Sequence, residues 1–199
     1  MSADRSYHHG DLRAALIETS FTLLAEHGLE RFSVAAVARR LGVSSAAPYR
    51  HFPDRSHLLG AVSAAAARDL RAEIVAAADA AGLDPADRLA AAAGAYVRYV
   101  ARTGAGIHVI YAAELYNLAD DARREQSRAL MTTLLDLAAA TGPRSYEAAV
   151  LLIEAALAVA HGYASLYAQG FFARNSGTVE DAAARACVAA RTLIAPSGR

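Results

Sequence analysis

Apolar positions along this chain return every three or four residues, the spacing of one helical face, and β-branched residues nowhere alternate over a useful run. The pattern predicts an all-α protein. A first helix opens at Asp11 as N-cap, carries Leu12, Leu16 and Leu23 on one stripe with Ile17, Phe21 and Leu24 beside it, and closes at His27-Gly28. Ser33 caps a second helix, with Val34, Val37, Ala38 and Leu41 inward, Arg39 and Arg40 outward, and Gly42 as its stop. Val43 plugs the corner, and Ser44 or Ser45 caps a third helix that ends near Phe52-Pro53. Pro48 would cost about 3 kcal/mol inside a helix but little in a first turn, which is where such a cap puts it.

Asp54 caps a long connecting helix over 54–80, with Leu58, Leu59, Val62 and Leu70 inside. Asp84-Pro85 starts the next, lined by Leu89, Tyr96, Val97 and Val100 and broken at Gly104 and Gly106. A short apolar helix is expected from Ile107 to Leu118, then one over 120–140 carrying Leu130, Leu134 and Leu137. Residues 145–172 are the most apolar stretch. A membrane span wants ~20 apolar residues, and Glu154, His161 and Gln169 interrupt this one, so a buried helix is expected and no membrane contact. Ala155, Ala158 and Gly162 recur along it at three- and four-residue spacing, which permits close approach of a second helix. A last helix over 178–194, capped by Thr178 with Glu180 and Asp181 in its first turn, would complete an interface between two copies.

Composition adds direction. The 199 residues suffice for one large or two small domains, and 55% hydrophobic content without tryptophan comes chiefly from alanine, a helix former. Net charge is zero, yet residues 28–55 hold five arginines (31, 39, 40, 50 and 55) against Glu30 and Asp54. That asymmetry suits a modest phosphate footprint on one part of the chain. All twenty basic residues are arginine, and with the abundant alanine this reads as a bacterial genome rich in GC. Cys187 stands alone, so intramolecular disulfides and cysteine metal sites are excluded, and it reads as a small buried residue. The polar first residues lack the apolar core of a signal peptide, so a cytoplasmic location is expected. Adjacent His8 and His9 on a polar arm are weak ground for metal, and none is expected; Arg5 could reach a minor groove.

A helix, a glycine-containing turn and a second helix make a helix-turn-helix, a motif that presents its second helix to a DNA major groove. Ser45, Ala46 and Ala47 are small enough to let the backbone approach the groove floor. Alanine methyls can meet thymine methyls and serine can bond several bases, with Tyr49, Arg50 and His51 following as base or phosphate reachers. Residues 12–60 resemble the DNA-binding domain of TetR-type (tetracycline-repressor-like) regulators. The resemblance is carried by Phe21, Gly28, Phe32-Ser33, Val37-Ala38, Gly42-Val43-Ser44, Tyr49, Phe52, Arg55 and Leu58-Leu59. Ala46-Ala47-Pro48 departs from that family's commoner Gly-Thr-Leu, and Arg55 stands for its usual lysine. The resemblance implies a helix-turn-helix domain over 1–53 and a larger regulatory and dimerisation domain over 54–199. It assigns Ser33, Ser44, Ser45, Ala46, Ala47, Tyr49, Arg50, His51 and Arg55 to the DNA side. His161-Gly162 resembles a subgroup of that family named for a Trp-His-Gly motif, although the tryptophan is missing here.

The same resemblance implies a small-molecule inducer cavity in the larger domain. Candidates are Tyr96, Tyr99, Tyr111, Leu157 and His161; the plain alternative is an ordinary core of tyrosines and one satisfied histidine. Glu154 and His161 share a helical face about 10 Å apart, so each needs some other partner, such as Arg98, Arg102 or a tyrosine hydroxyl. Zinc-protease, di-iron, phosphate-loop and serine-hydrolase signatures are missing, so no catalysis and no cofactor are expected. The expectation is a homodimeric, operator-binding regulator, most often a repressor. The alternatives are a ligand-independent architectural protein and an α-helical interaction module or enzyme.

Overall fold

The computed structural model describes residues 12–172 and 177–194, and within them the chain forms eight α-helices and no strand. Three short elements form the head. Helix α1 (Leu12–His27) buries Leu16, Leu23 and Leu24, and α2 (Val34–Leu41) packs Val34, Val37 and Ala38 against it. The Ser33 hydroxyl accepts the Ala36 N–H at 3.2 Å, and Gly42, at φ 69°, hands the N–H of Val43 back to the Ala38 carbonyl. Asp11, Arg5, His8 and His9 lie outside the described residues.

The third element departs from expectation. A regular helix over 44–52 does not form; a turn at 45–47 leads into a 3₁₀ turn, Pro48–Arg50. Pro48 has no N–H to give Ser44, so the preceding turn closes through Ala47 N–H to the Ser44 carbonyl at 3.0 Å. Only Phe52 makes an α-type bond, to the Pro48 carbonyl at 2.9 Å. The segment stays short and turn-like because proline removes the bond a longer helix would need first.

Helix α3 (Arg55–Ala80) runs unbroken from head to body, capped by Asp54, whose carboxylate accepts the His57 N–H at 2.9 Å. Its buried residues extend from Leu58 to Ala78, so one helix serves the cores of both parts. In the body, α4 (Pro85–Thr103) is central and packs against α3, α7 and α8. Gly94 makes this approach possible, since a Cβ there would lie 2.5 Å from the Cys187 sulfur.

Beyond α4 the expected single helix over 107–118 splits into α5 (Ile107–Ile110) and a 3₁₀ turn, Ala113–Leu115. Buried Val109, Ile110, Ala112 and Leu115 point inward on both sides of the break, and the buried Ser63 hydroxyl of α3 donates to the Ile110 carbonyl at the end of α5 at 2.9 Å. Helix α6 (Asp121–Ala140) follows its Asp120 cap, and α7 (Tyr146–Ala168) its Ser145 cap. Helix α8 (Val179–Ile194) is closed by a reciprocal cap in which Asp181 N–H donates to Thr178 Oγ1 and Thr178 N–H to Asp181 Oδ2.

By length and composition alone α7 is long and apolar enough to cross a membrane, and 33% of its most apolar window is buried inside the body. Its inner residues, including Leu152, Ile153 and Ala160, pack in the body, while Leu151, Leu166 and Tyr146 face outward. Val188 and Leu193 of α8 are exposed as well.

Candidate DNA-contact surface and effector cleft

The turn after α2 presents a continuous exposed stretch. Ser44, Ser45, Ala46, Tyr49, Arg50 and His51 all face solvent, Ala47 is half-buried, and Pro48 and Phe52 anchor the stretch from below. The Arg13 guanidinium lies 5.3 Å from the Phe52 ring centroid and holds the anchor on its other side. Small residues thus lead and larger polar ones follow, in the arrangement needed for close approach to a groove.

Other expected DNA residues have work inside the protein. The Ser33 hydroxyl is spent on its cap. Arg55 Nε donates to the Phe32 carbonyl at 3.0 Å, one terminal nitrogen donates to the Leu29 carbonyl at 3.2 Å, and the other pairs with Glu114. Its guanidinium also lies over the Phe32 ring, 5.5 Å from the centroid. Arg55 therefore ties the loop between α1 and α2 to the body. Arg40 is bound to Glu26, whose carboxyl is held below its ordinary value chiefly by that hydrogen bond. Of the five arginines over 28–55, Arg31, Arg39 and Arg50 remain without an ion pair among the described residues.

A second site opens where head meets body. A cleft of about 300 Å³ lies between Ala25 of α1, the end of α4 and the last turns of α7. His161 and Tyr167 line it from α7, and His108 of α5 lines it from the opposite side. Gly104 ends α4 at φ 64° and presses on the head: a Cβ there would stand 2.5 Å from the Ala25 backbone nitrogen.

Of the five expected ligand residues, His161 lines this cleft and Tyr96 supports it from behind. The Tyr96 ring is fully buried, and its hydroxyl lies 2.9 Å from His161 Nδ1 while accepting the Ile107 N–H at 3.1 Å. Burial pushes the phenol up to about 12, partly opposed by the Ile107 bond. Gly106 makes room, since a Cβ there would run into that hydroxyl. The tyrosine hydroxyl needed by His161 is thus Tyr96, while Glu154 is exposed. Tyr99, Tyr111 and Leu157 do not line the cleft. Tyr99 is buried under the Arg102 guanidinium, Tyr111 is partly exposed, and Leu157 is half-buried on α7.

His108 is the residue that sequence reasoning missed. Its ring is partly withdrawn from water, which lowers its pKa, and His161 lowers it further across 6.0 Å between ring centroids. No local pattern marks His108, because its partner is fifty-three residues away along the chain.

A helix-turn-helix head on a helical body, joined by one continuous helix and by a cleft, defines a two-domain helical DNA-binding regulator. Residues 16–62 match the family described as bacterial regulatory proteins, tetR family, and residues 89–190 match the tetracyclin repressor-like C-terminal domain. The chain belongs to the TetR family of transcriptional regulators. The finer Trp-His-Gly subgrouping rests on the sequence resemblance alone. Among curated proteins, none matches.

Solved structures agree on the fold. A protein of unknown function from Rhodococcus sp. RHA1 is 29% identical, with TM-score 0.71, covering 95% of this chain and 98% of its own. A bacterial regulatory protein in the tetR family from Rhodococcus RHA1 is 21% identical, with TM-score 0.58 and coverages of 91% and 95%. A TetR family transcription regulator from Marinobacter aquaeolei VT8 is 20% identical, with TM-score 0.59 and coverages of 89% and 94%.

Proposed function

We propose that this chain is a homodimeric, cytoplasmic, operator-binding repressor that a small molecule releases from DNA. The observation that carries this reading is the cleft at the joint of head and body, where one occupant would touch α1 and α7 together. An effector shifts DNA affinity only by its differential affinity for the two arrangements, and a site at the joint is where that difference arises. The exposed 44–51 stretch is the base-reading surface, with Ser45 and Ala46 nearest the bases and Tyr49, Arg50 and His51 on phosphate or base edges. The domain boundary falls near residue 53, with 54–80 as connector.

The dimer forms through 145–172 and 178–194, because Leu151, Leu166, Val188 and Leu193 leave an apolar surface that a second copy would bury. Two recognition segments would then enter successive major grooves about 34–36 Å apart. Catalysis is not part of the reading, since the structural relatives that carry a family name are regulators. The cleft also argues against a ligand-independent architectural role.

A mobility shift on the DNA upstream of the chain's own gene, over a salt series with competitor DNA, tests the proposal. A steeply salt-dependent complex that survives competitor supports it. Absence of any sequence preference there and in random-site selection would overturn it. Sedimentation of Leu151→Arg and Val188→Arg tests the interface: monomers are expected, and unchanged dimers would refute it.

A further inference from the structure

Arginines without work inside the protein collect on the head. Among the described residues, Arg31, Arg39, Arg50 and Arg128 alone make no hydrogen bond, ion pair or ring contact, and the first three fall between residues 31 and 50. All three are exposed. The body, by contrast, spends its arginines on carboxylates, as with Arg68, Arg88, Arg98, Arg102 and Arg191. An unpaired guanidinium keeps all five N–H donors for an anion that comes from outside.

Helix geometry aims Arg39. Val34, Val37 and Ala38 form the buried stripe of α2. A step of about 100° per residue puts Arg39 nearly opposite that stripe, in line with exposed Ala35 one turn earlier. Arg40, one step on, reaches back to α1, where its two terminal nitrogens hold the two oxygens of Glu26. The adjacent arginines thus divide: one is fastened to α1 and the other faces outward. Arg31 stands at the opposite end of α2, two residues before the Ser33 cap, with Phe32 between them turned into the core. Of the nearby carboxylates, Glu26 is taken by Arg40 and Asp54 by the His57 backbone and ring, which leaves Glu30 against three free cations. In a helix-turn-helix the first helix crosses the DNA backbone while the second element enters the groove. Helix α2 therefore carries a free cation at each of its ends toward the strand it crosses.

Resting on the operator-binding reading above, we infer that Arg31 and Arg39 are phosphate contacts, a clamp at the two ends of α2 that holds the head on the DNA backbone. Neither belongs to the 44–51 base-reading stretch. They take the part that Ser33 and Arg55 cannot, since the first is used as a cap and the second as a brace. The ligand is the phosphodiester oxygen, which is anionic and the same at every base step. The clamp therefore sets affinity and placement and leaves sequence choice to residues 44–51.

Titration of the full-length protein over a salt series tests it, on a duplex recovered by random-site selection and on a scrambled duplex of the same length. Arg31→Gln and Arg39→Gln each remove one charge from an exposed position. Each is expected to lower the slope of log affinity against log salt by about one per protomer, and to weaken a dimer's binding about tenfold to a hundredfold near ~0.1 M salt. The loss should be alike on both duplexes, with the thermal melt unchanged. Arg39→Lys should restore the slope, because a point charge suffices for a phosphate. Glu26→Gln together with Arg40→Gln deletes a neutral pair and should leave the slope as it is. A native slope in either single glutamine variant, or an equal fall in the neutral-pair variant, would overturn the assignment. Native protein that binds both duplexes alike, with slopes falling as stated, would sink the operator-binding reading and leave the clamp standing. Native selectivity between the duplexes with unmoved slopes would sink the clamp alone.

Discussion

Replacing Arg55 by methionine keeps the length of the side chain and removes its guanidinium. Two bonds from a cation to the Leu29 and Phe32 carbonyls would then be lost, together with the Phe32 ring contact and the Glu114 pair. The side chain is about one-third exposed, so water can replace part of what is removed. Discounted for that, the carbonyl bonds contribute about 1 kcal/mol each, the ring ~0.5 and the ion pair ~0.5, for a total near ~3 kcal/mol. In a protein of this size that corresponds to a fall in Tm of roughly 6–12 °C. Urea denaturation gives the stability, and operator titration over a salt series gives the number of phosphates neutralised. If Arg55 is a brace, stability falls and the salt slope of the surviving complex is unchanged. If it is a phosphate contact, stability holds and the slope drops by about one per protomer. Stability unchanged within ~0.5 kcal/mol with a reduced slope would refute the reasoning, and the normal experimental scatter of surface substitutions sets that limit.

Tyr49→Phe should weaken binding to all sequences alike, whereas substitutions at Ser45 or Ala46 should change which sequence is preferred; competition between matched and scrambled operators separates the two. Gly104→Ala combines a left-handed backbone, worth about 1–2 kcal/mol, with a methyl driven into the α1 backbone, so a loss above ~3 kcal/mol is expected in thermal melts, and a loss under ~1 would refute the close contact. The lowered pKa of His108 means that the unfolded chain takes up its proton first as pH falls. This group's contribution to stability is therefore full above the ordinary imidazole range, about 6.5, and is lost as pH drops from there through the folded-state value. His108→Gln should flatten that part of a Tm-against-pH profile, and an unchanged profile would remove His108 from the account.

Helix boundaries were legible wherever a local device marks them. Ser33, Asp54, Asp84 and Thr178 all cap as their residue types suggest, and Gly42 and Gly104 end helices at positive φ. The two departures come from competition that periodicity does not register. Pro48 withholds the N–H a longer recognition helix would need, and around 107–118 burial on two sides of the chain outweighs regular winding. Arg55 was legible as a cation but not as a brace, because the carbonyls it holds lie more than twenty residues away. The cleft was legible only in His161; the pairing of His108 with it, and of Gly104 with Ala25, arises from tertiary contact.

The unbroken helix α3 has a mechanical consequence. Its 26 residues span ~39 Å, a lever with the body at one end and the recognition turn just beyond the other. A tilt of only ~5° at the body end displaces the head end by ~3 Å, close to the ~3.4 Å rise of a single base pair. In a symmetric pair the two displacements add. A change at the body too slight to disturb its packing is therefore enough to put two heads out of phase with consecutive grooves by about two base pairs. An interior adjustment measured in degrees becomes a mismatch measured in steps along the DNA.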